Sequence, residues 1–502
     1  MYFFIAKGRN NIDISHKTSP EELMRKIQQD QMQVGEIDVG SVYIEIDNRD
    51  EIPQLLRGLQ HLYRNTALRS QIFKVLIKLL PKDVDRNNGR NGMTLWSIFV
   101  LGSIRLNCGW DYDKLQEIAN NHTTLRQMLG HGILDMEKRY PRQTLCDNLR
   151  WFTPEILDSI NRIVVQEGHK VLGIAEDEEL HARCDSFVVE TDVHYPTDIN
   201  ILWDATRKVL QLGHRLAEEY NIEGWRQSQH NLAITKKLFR QVQRLREKDK
   251  DSQKCITTTE LYLQTAQNFF DRAESCFILE KHNKGFLFSA QAEEIEYYVE
   301  SGRKLVDQIQ RRCFNGEKIP HEEKIFSLFE PHTEWISKGK AGVPQELGLK
   351  VGIVECDSGL ILHHQVIEKQ TDDQTAIPLI AETKKRFPRL GSCSFDKGYH
   401  SPDNQEKLAV ILDNVILPRK GKLDDTERKQ ESAPQFVILR RKHAAVESAI
   451  NALENHSLDR CPDYGIDGFK RYVAMAVLAR NIQLLGRVLQ KDLLEQRERL
   501  AA

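Results

Sequence analysis

The chain has 502 residues, 40% of them hydrophobic, and a net charge of −2. That length exceeds one ordinary core, so roughly two to four domains are expected. The apolar content excludes a disordered chain, and the near-neutral balance excludes a uniformly basic nucleic-acid binder. A nucleic-acid role would have to come from local clusters.

The nine cysteines form no CxxC pair and no zinc spacing, and the apolar run Met1 to Ala6 is too short for a signal sequence and is followed by polar residues. Reduced thiols and a cytoplasmic location are the expectation. No apolar run of membrane-spanning length stands out.

Residues 1–90 are a mixed region. Val39 to Asp47 alternates like a strand, Ile52 to Leu80 has a helical period, and Pro81 to Arg90 reads as a charged, turn-rich linker. Residues 91–180 read as compact helices. Thr94 caps a helix to about Asn107, Trp110 to Asp113 opens a second through Ala119, and Thr123 to Leu129 forms a third after the break at Asn120-Asn121-His122. Such helices suit either a helix-turn-helix DNA reader or an ordinary bundle.

Phe187 to Tyr195 is a β-branched run with polar residues at every second position, so Glu190 and Asp192 share a face. Pro196 and Asp198 stop it. The face is either exposed and merely acidic, or part of a central strand carrying a metal ligand. Residues 200–329 then show no strand pattern. Ile201–Tyr220, Ser228–Lys248, Thr257–Lys281 and Ser289–Arg312 carry helical apolar periods. In the second of these, Lys236, Arg240 and Arg244 make one stripe with Lys237 beside it. The stripe is either a solvated face or a track for phosphates.

Two strands follow, Leu347–Cys356 and Leu360–Ile367, joined by the turn Asp357-Ser358-Gly359. Asp373 to Phe387 is helical. The next strand ends in a lone carboxylate, Asp396, before Lys397-Gly398 turns the chain. Asp396 is either a turn or cap residue, or an active-site acid at a strand end. A helix from Asp403 to Leu412, a strand at Val415–Leu417 and a basic loop follow. Arg440 to Glu454 reads as an Ala-rich helix with His443, Glu447 and Glu454 on one side. Taken alone, that side is a solvated charged face. Ile466 to Leu494 forms closing helices, with the last residues frayed.

The pieces ETDVHYPTD, SFDKGYHS and RRKHAAVESAINALENHSLDRC resemble the three catalytic blocks of DDE transposases of bacterial insertion sequences, most of all the group filed as ISNCY. The resemblance covers roughly residues 90 to 490. It implies an α/β ribonuclease-H-like catalytic core, and the order of elements agrees once the helical block is set aside. The expected layout is a mixed region at 1–90, a DNA-end-binding helical region at 91–180, and a core at 185–200 and 330–460. A large helical insertion at 201–329 interrupts that core, and C-terminal helices fill 461–502.

The resemblance further implies Asp192, Asp396 and Glu447 as catalytic and metal-binding residues, two Mg²⁺ or Mn²⁺ ions, and cleavage of double-stranded DNA followed by joining of the 3′-OH to a target. A homodimer on the DNA is expected. Lys397, Arg440, Arg441, Lys442 and His443 are candidates for holding phosphates, with Lys236, Lys237, Arg240 and Arg244 on the insertion. The chain departs from related transposases near the third acid. They often place Tyr and Arg shortly before it and a basic residue seven after, where this chain has Ala444 and Glu454. Glu454 is therefore a rival third ligand. The alternative functions are a nuclease that cuts without joining and a domesticated protein that grips DNA without cutting.

Overall fold

A computed structural model describes residues 23–24, 36–80, 90–132, 135, 137–337 and 345–501. The chain divides into two compact units, Met1–Thr191 with Gly348–Ala502, and Asp192–Leu347. Mixed α/β structure characterises the first and helices dominate the second.

The sheet of the first unit is centred on β1, Leu180–Thr191. β2 (Gln345–Cys356) pairs antiparallel with β1, and β3 (Ile361–Ile367) pairs antiparallel with β2. On the other side β4 (Leu390–Phe395) runs parallel to β1, and β5 (Asn414–Ile416) parallel to β4. The spatial order β3-β2-β1-β4-β5 is compatible with the ribonuclease-H-like core that the motifs imply. β2 and β3 form the expected hairpin, and Gly359 takes the left-handed backbone (φ +82°) that a glycine tolerates best. The helix Asp372–Arg386 lies between β3 and β4 in the chain, and Pro402–Ile411 between β4 and β5.

β1 starts at Leu180, seven residues before the expected strand, and ends at Thr191. Its outward edge is paired in two pieces. β4 accompanies it from Leu180 to Cys184, and the short strand Arg460–Cys461 joins it at Glu190 and Thr191. Residues 185–189 face the gap between these two partners.

One hydrophobic core joins the N-terminal helices, the sheet and the closing helix. It includes Leu55 and Leu59 of Glu51–Arg64, Phe99 of Leu95–Asn107, Phe187 and Val189 of β1, and Val473 and Ile482 of Gly465–Ala501. All thirteen residues of Leu95–Asn107 are buried, which is how a bundle's central helix packs. Thr94 caps it as expected, its Oγ1 accepting the Ser97 N–H at 3.0 Å.

The closing helix is continuous to Ala501 rather than frayed. By length and composition alone it could cross a membrane, contrary to the reading of the bare sequence, but 72% of its apolar window is buried in this core. It crosses Glu51–Arg64 very closely. A Cβ on Gly58 would lie 2.2 Å from the Ile482 carbonyl oxygen, and one on Gly486 1.8 Å from that of Gln54.

Val39 to Asp47 is not a strand. It opens with a 3-10 turn at Val39–Ser41 and continues as an extended strap. The alternation is real, since Val42 and Ile44 are buried and Tyr43 is exposed. Side chains take the carbonyls in place of a neighbouring strand. Gln60 Nε2 donates to Val42 O at 2.6 Å, Arg57 Nη2 to Ile44 O at 3.1 Å and Gln490 Nε2 to Asn48 O at 2.8 Å. Of the linker expected at Pro81 to Arg90, residues 81–89 lie outside the described residues.

In the second unit the four predicted helices are found as Asp198–Glu219, Ser228–Lys248, Gln253–Ala273 and Phe286–Cys313. The third continues as a π turn, Glu274–Ile278. They enclose their own core of Leu202, Val209, Tyr262, Phe270, Phe288 and Ile309. Lys236, Lys237, Arg240 and Arg244 are all exposed on Ser228–Lys248, and among the described residues none of the four makes an ion pair.

Candidate active site

β1 and β4 run parallel with Cys184 opposite Phe395, so the next residue on each strand is an acid, Asp185 beside Asp396. Neighbouring strands lie about 4.8 Å apart, which brings the two carboxylates to one place. β4 ends at Phe395, and Asp396 caps the 3-10 turn Lys397–Tyr399 by accepting the Gly398 N–H at 3.3 Å. The third acid comes from the opposite direction. Pro434–His443 and Ala445–Leu453 are two helices meeting at Ala444, not the single helix expected. The second buries Val446, Ala449, Ile450 and Leu453 in the core that holds Phe187 and Val189. Those two β1 residues share a face with Asp185, and the helix thereby sets Glu447, in its first turn, over that face.

The electrostatics report the same convergence. Burial raises the Asp185 carboxyl from 3.8 to about 6, against a hydrogen bond from the Ser186 N–H that lowers it, and the negative charges of Asp396, Asp372 and Glu447 raise it further. His443 lies at the same place. Burial and the Arg183 charge lower its pKa, while Asp396 and Glu447 act in the opposite sense. Its Nδ1 is 3.0 Å from Ser394 Oγ, and the two share a hydrogen bond. Arg183 is two residues before Asp185 on the same face, yet its guanidinium is engaged by Glu355 at 3.0 Å and Asp357 at 2.7 Å.

Asp192 is not part of this cluster. Thr191, its neighbour, pairs with Cys461 at the far end of β1. Six residues of strand separate Thr191 from Asp185, about 20 Å. The acid that the strands bring beside Asp396 is Asp185, not the expected Asp192. A signal for it was present. Leu180, Ala182 and Cys184 alternate with His181, Arg183 and Asp185, which is the strand period begun earlier. It was hidden by the stronger β-branched run after it. Of the other candidates, Lys397 and Arg441 are exposed near the acids in the chain. Lys442 Nζ donates to Asp357 at 3.2 Å, and Arg440 pairs with Glu431 at 3.3 Å. Glu454 starts the π turn Glu454–Leu458 after the Glu447 helix, and it is Glu447 whose charge acts on Asp185.

Residues 311–482 match the family model of the transposase DDE domain. This stretch is similar to a transposase DDE domain. The match spans Asp396 and Glu447 and begins after β1, so Asp185 is grouped with those two acids by geometry alone. No curated protein and no solved structure matches the chain.

DDE domains as a family work with divalent metal ions, and the donors here suit one. Three carboxylates converge, burial and the neighbouring negative charges resist ionisation of Asp185, and a divalent cation relieves both. A second group, Asp158, His363 and His364, has ligand atoms within 4.8 Å of one another. There Arg386 donates to Asp158 and lies 2.9 Å from His363 Nδ1, so a guanidinium already supplies the positive charge.

Proposed function

We propose that the protein is a DNA transposase of a bacterial insertion sequence, cutting transposon ends and joining the freed 3′-OH to target DNA at Asp185, Asp396 and Glu447. The convergence of these three acids, two of them inside the DDE-domain match, carries the reading. Bound between them, two Mg²⁺ or Mn²⁺ ions would activate the attacking oxygen and stabilise the leaving 3′-oxygen. The chain's own part is to hold the ligands rigidly. Asp185 is fixed in the central strand, Asp396 by its cap bond to Gly398, and Glu447 by a helix whose opposite side is buried.

His443, neutral by burial, orients toward Ser394 and leaves the acids as the negative groups of the pocket. Lys397 and Arg441 are placed by sequence to meet phosphates beside the acids. On the helical unit, a candidate insertion of the core, the exposed row of Lys236, Arg240 and Arg244 with Lys237 presents positive charge at one-turn spacing, as a DNA backbone track requires. The ISNCY-like group, the bacterial cytoplasm and a dimer on the DNA belong to the same reading.

The test is strand transfer by the purified full chain, with Mg²⁺ and a duplex bearing the element's own flanking ends. Joined products from the wild type, and none from Asp185→Ala, Asp396→Ala or Glu447→Ala, are expected. Cleaved but unjoined ends from the wild type would identify a nuclease instead. Products from Asp185→Ala, with none from Asp192→Ala, would return the first acid to Asp192.

A further inference from the structure

A fourth carboxylate reaches the edge of this pocket from the other face of the sheet. Asp372 is the first residue of Asp372–Arg386, but it does not cap that helix. Thr371 and Gln374 form the capping box there. Both oxygens of Asp372 turn toward the strands instead. Ser186 Oγ, adjoining Asp185 in β1, donates to Oδ1 at 2.8 Å, and Lys350 Nζ of β2 donates to Oδ2 at 2.9 Å. The pair is about three-quarters buried, with side chains 24% and 22% exposed.

Gly398 shows how near this reaches to the catalytic candidates. A Cβ placed on it would be 3.4 Å from Asp372 Oδ2 and 3.5 Å from Asp396 Oδ2, so the two oxygens are at most 6.9 Å apart, the sum of those distances. The arrangement is possible because β4 stops at Phe395, leaving β1 beyond Asp185 open at this edge. Asp372 also acts electrostatically on Asp185.

We propose that Asp372 is a positioning carboxylate of the metal pocket, and that Lys350 is the built-in cation that opposes a divalent ion there. The inference rests on the metal-dependent reading above. Asp372 adds negative charge next to Asp185 and Asp396, and Lys350 offsets it from within the fold. Removing the acid should weaken a divalent cation's hold, and removing the lysine should strengthen it. An acid that served only to steady its helix would leave metal affinity unchanged.

The experiment is Mn²⁺ titration of the full chain without DNA, followed by calorimetry and by the electron-spin signal of free Mn²⁺. Asp372→Asn should weaken binding about tenfold, the effect expected of a group that orients metal ligands. Lys350→Met should tighten it several-fold, and Asp372→Glu, which keeps the charge, should stay within about threefold of wild type. Asp396→Asn is the reference and should remove the site.

If Asp396→Asn removes binding while Asp372→Asn does not weaken it, the inference falls and the DDE reading stands. If Asp396→Asn leaves Mn²⁺ bound as in wild type, the metal site itself has been misassigned. A loss of affinity in Lys350→Met overturns the opposing role of the lysine. Should Asp372→Asn fail to fold, Lys350→Met and Asp372→Glu still decide the matter.

Discussion

The two units handle charge in opposite ways. In the first, Asp185, Asp396 and Glu447 come from two strands and a helix far apart in sequence and meet around Asp185, which burial penalises. In the second, Lys236, Lys237, Arg240 and Arg244 come from one helix and lie side by side in solvent. Convergent, partly buried charge makes a strong local field, which suits chemistry on a phosphate. Strung-out, exposed charge makes a weak but extended field, which suits holding a polyanion. Two of the basic residues near the acids belong to neither class. Arg440 and Lys442 are tied to Glu431 and Asp357.

The sharpest way to break this division is to remove one convergent acid. Asp185→Ala, Asp396→Ala and Glu447→Ala should each cut cleavage by about a thousandfold or more, since metal-ion stabilisation of the transition state is worth several kcal/mol. DNA affinity, measured by filter binding or anisotropy, should hold or rise slightly as repulsion falls. Asp192→Ala should cleave within about twofold of wild type, because β1 carries it away from the cluster. Loss of DNA binding in all three folded variants would show that the two charge sets are not separable.

Reversing the strung-out set should act on the other property. Lys236→Glu, Arg240→Glu and Arg244→Glu together should weaken DNA binding and lower the salt slope by about three units, one for each phosphate no longer neutralised. Affinity unchanged at both low and high salt would reduce the stripe to a solvated face.

How much of this was legible in advance differs strand by strand. The expectation at Asp396 rests on a short strand that ends in a turn, and all six residues of β4 are buried, Ser392 and Ser394 included. The helix that carries Glu447 is legible because alanines and apolar residues mark it, although the break at Ala444 is not. The helices of the second unit were readable because each buries one stripe at the helical period. Asp185 is harder to read because a central strand mixes polar and apolar neighbours along its length. This half of β1 carries Arg183, whose burial is supported by Glu355 and Asp357 far along the chain. Those partners are invisible to a local window. The strap at Val39 to Asp47 failed for the same reason, since its hydrogen bonds come from Arg57, Gln60 and Gln490.

A smaller effect sharpens the comparison from the side of stability. The folded chain holds the Asp185 proton to about pH 6, whereas an unfolded aspartate releases it near 3.8. Raising the pH from about 4 to about 6 therefore costs the metal-free fold stability through this residue, and the loss persists above pH 6. Asp185→Asn should raise the melting temperature of the metal-free chain at pH 7 by a few degrees, and by much less at pH 4. No pH dependence in that difference would mean the carboxyl is not under strain. The smallest effect belongs to Arg440→Ala, a half-exposed residue paired with Glu431, which should change DNA affinity by less than about twofold and stability by at most about 1 kcal/mol.

The tight crossing at Gly58 and Gly486 has a bearing on how the molecule is made. Glu51–Arg64 leaves the ribosome early, yet the surface it must cover lies on residues synthesised more than four hundred positions later. Until that stretch emerges, Leu55, Leu56, Leu59 and Leu62 have no complete partner, and the N-terminal helices wait with an apolar side uncovered. The second unit, with its own enclosed core, has no such delay. A nascent chain therefore presents a finished helical unit with its basic row before it possesses a finished acidic centre. The helical unit is closed first, and the core beneath the acidic cluster is closed only when the last helix packs against the opening one.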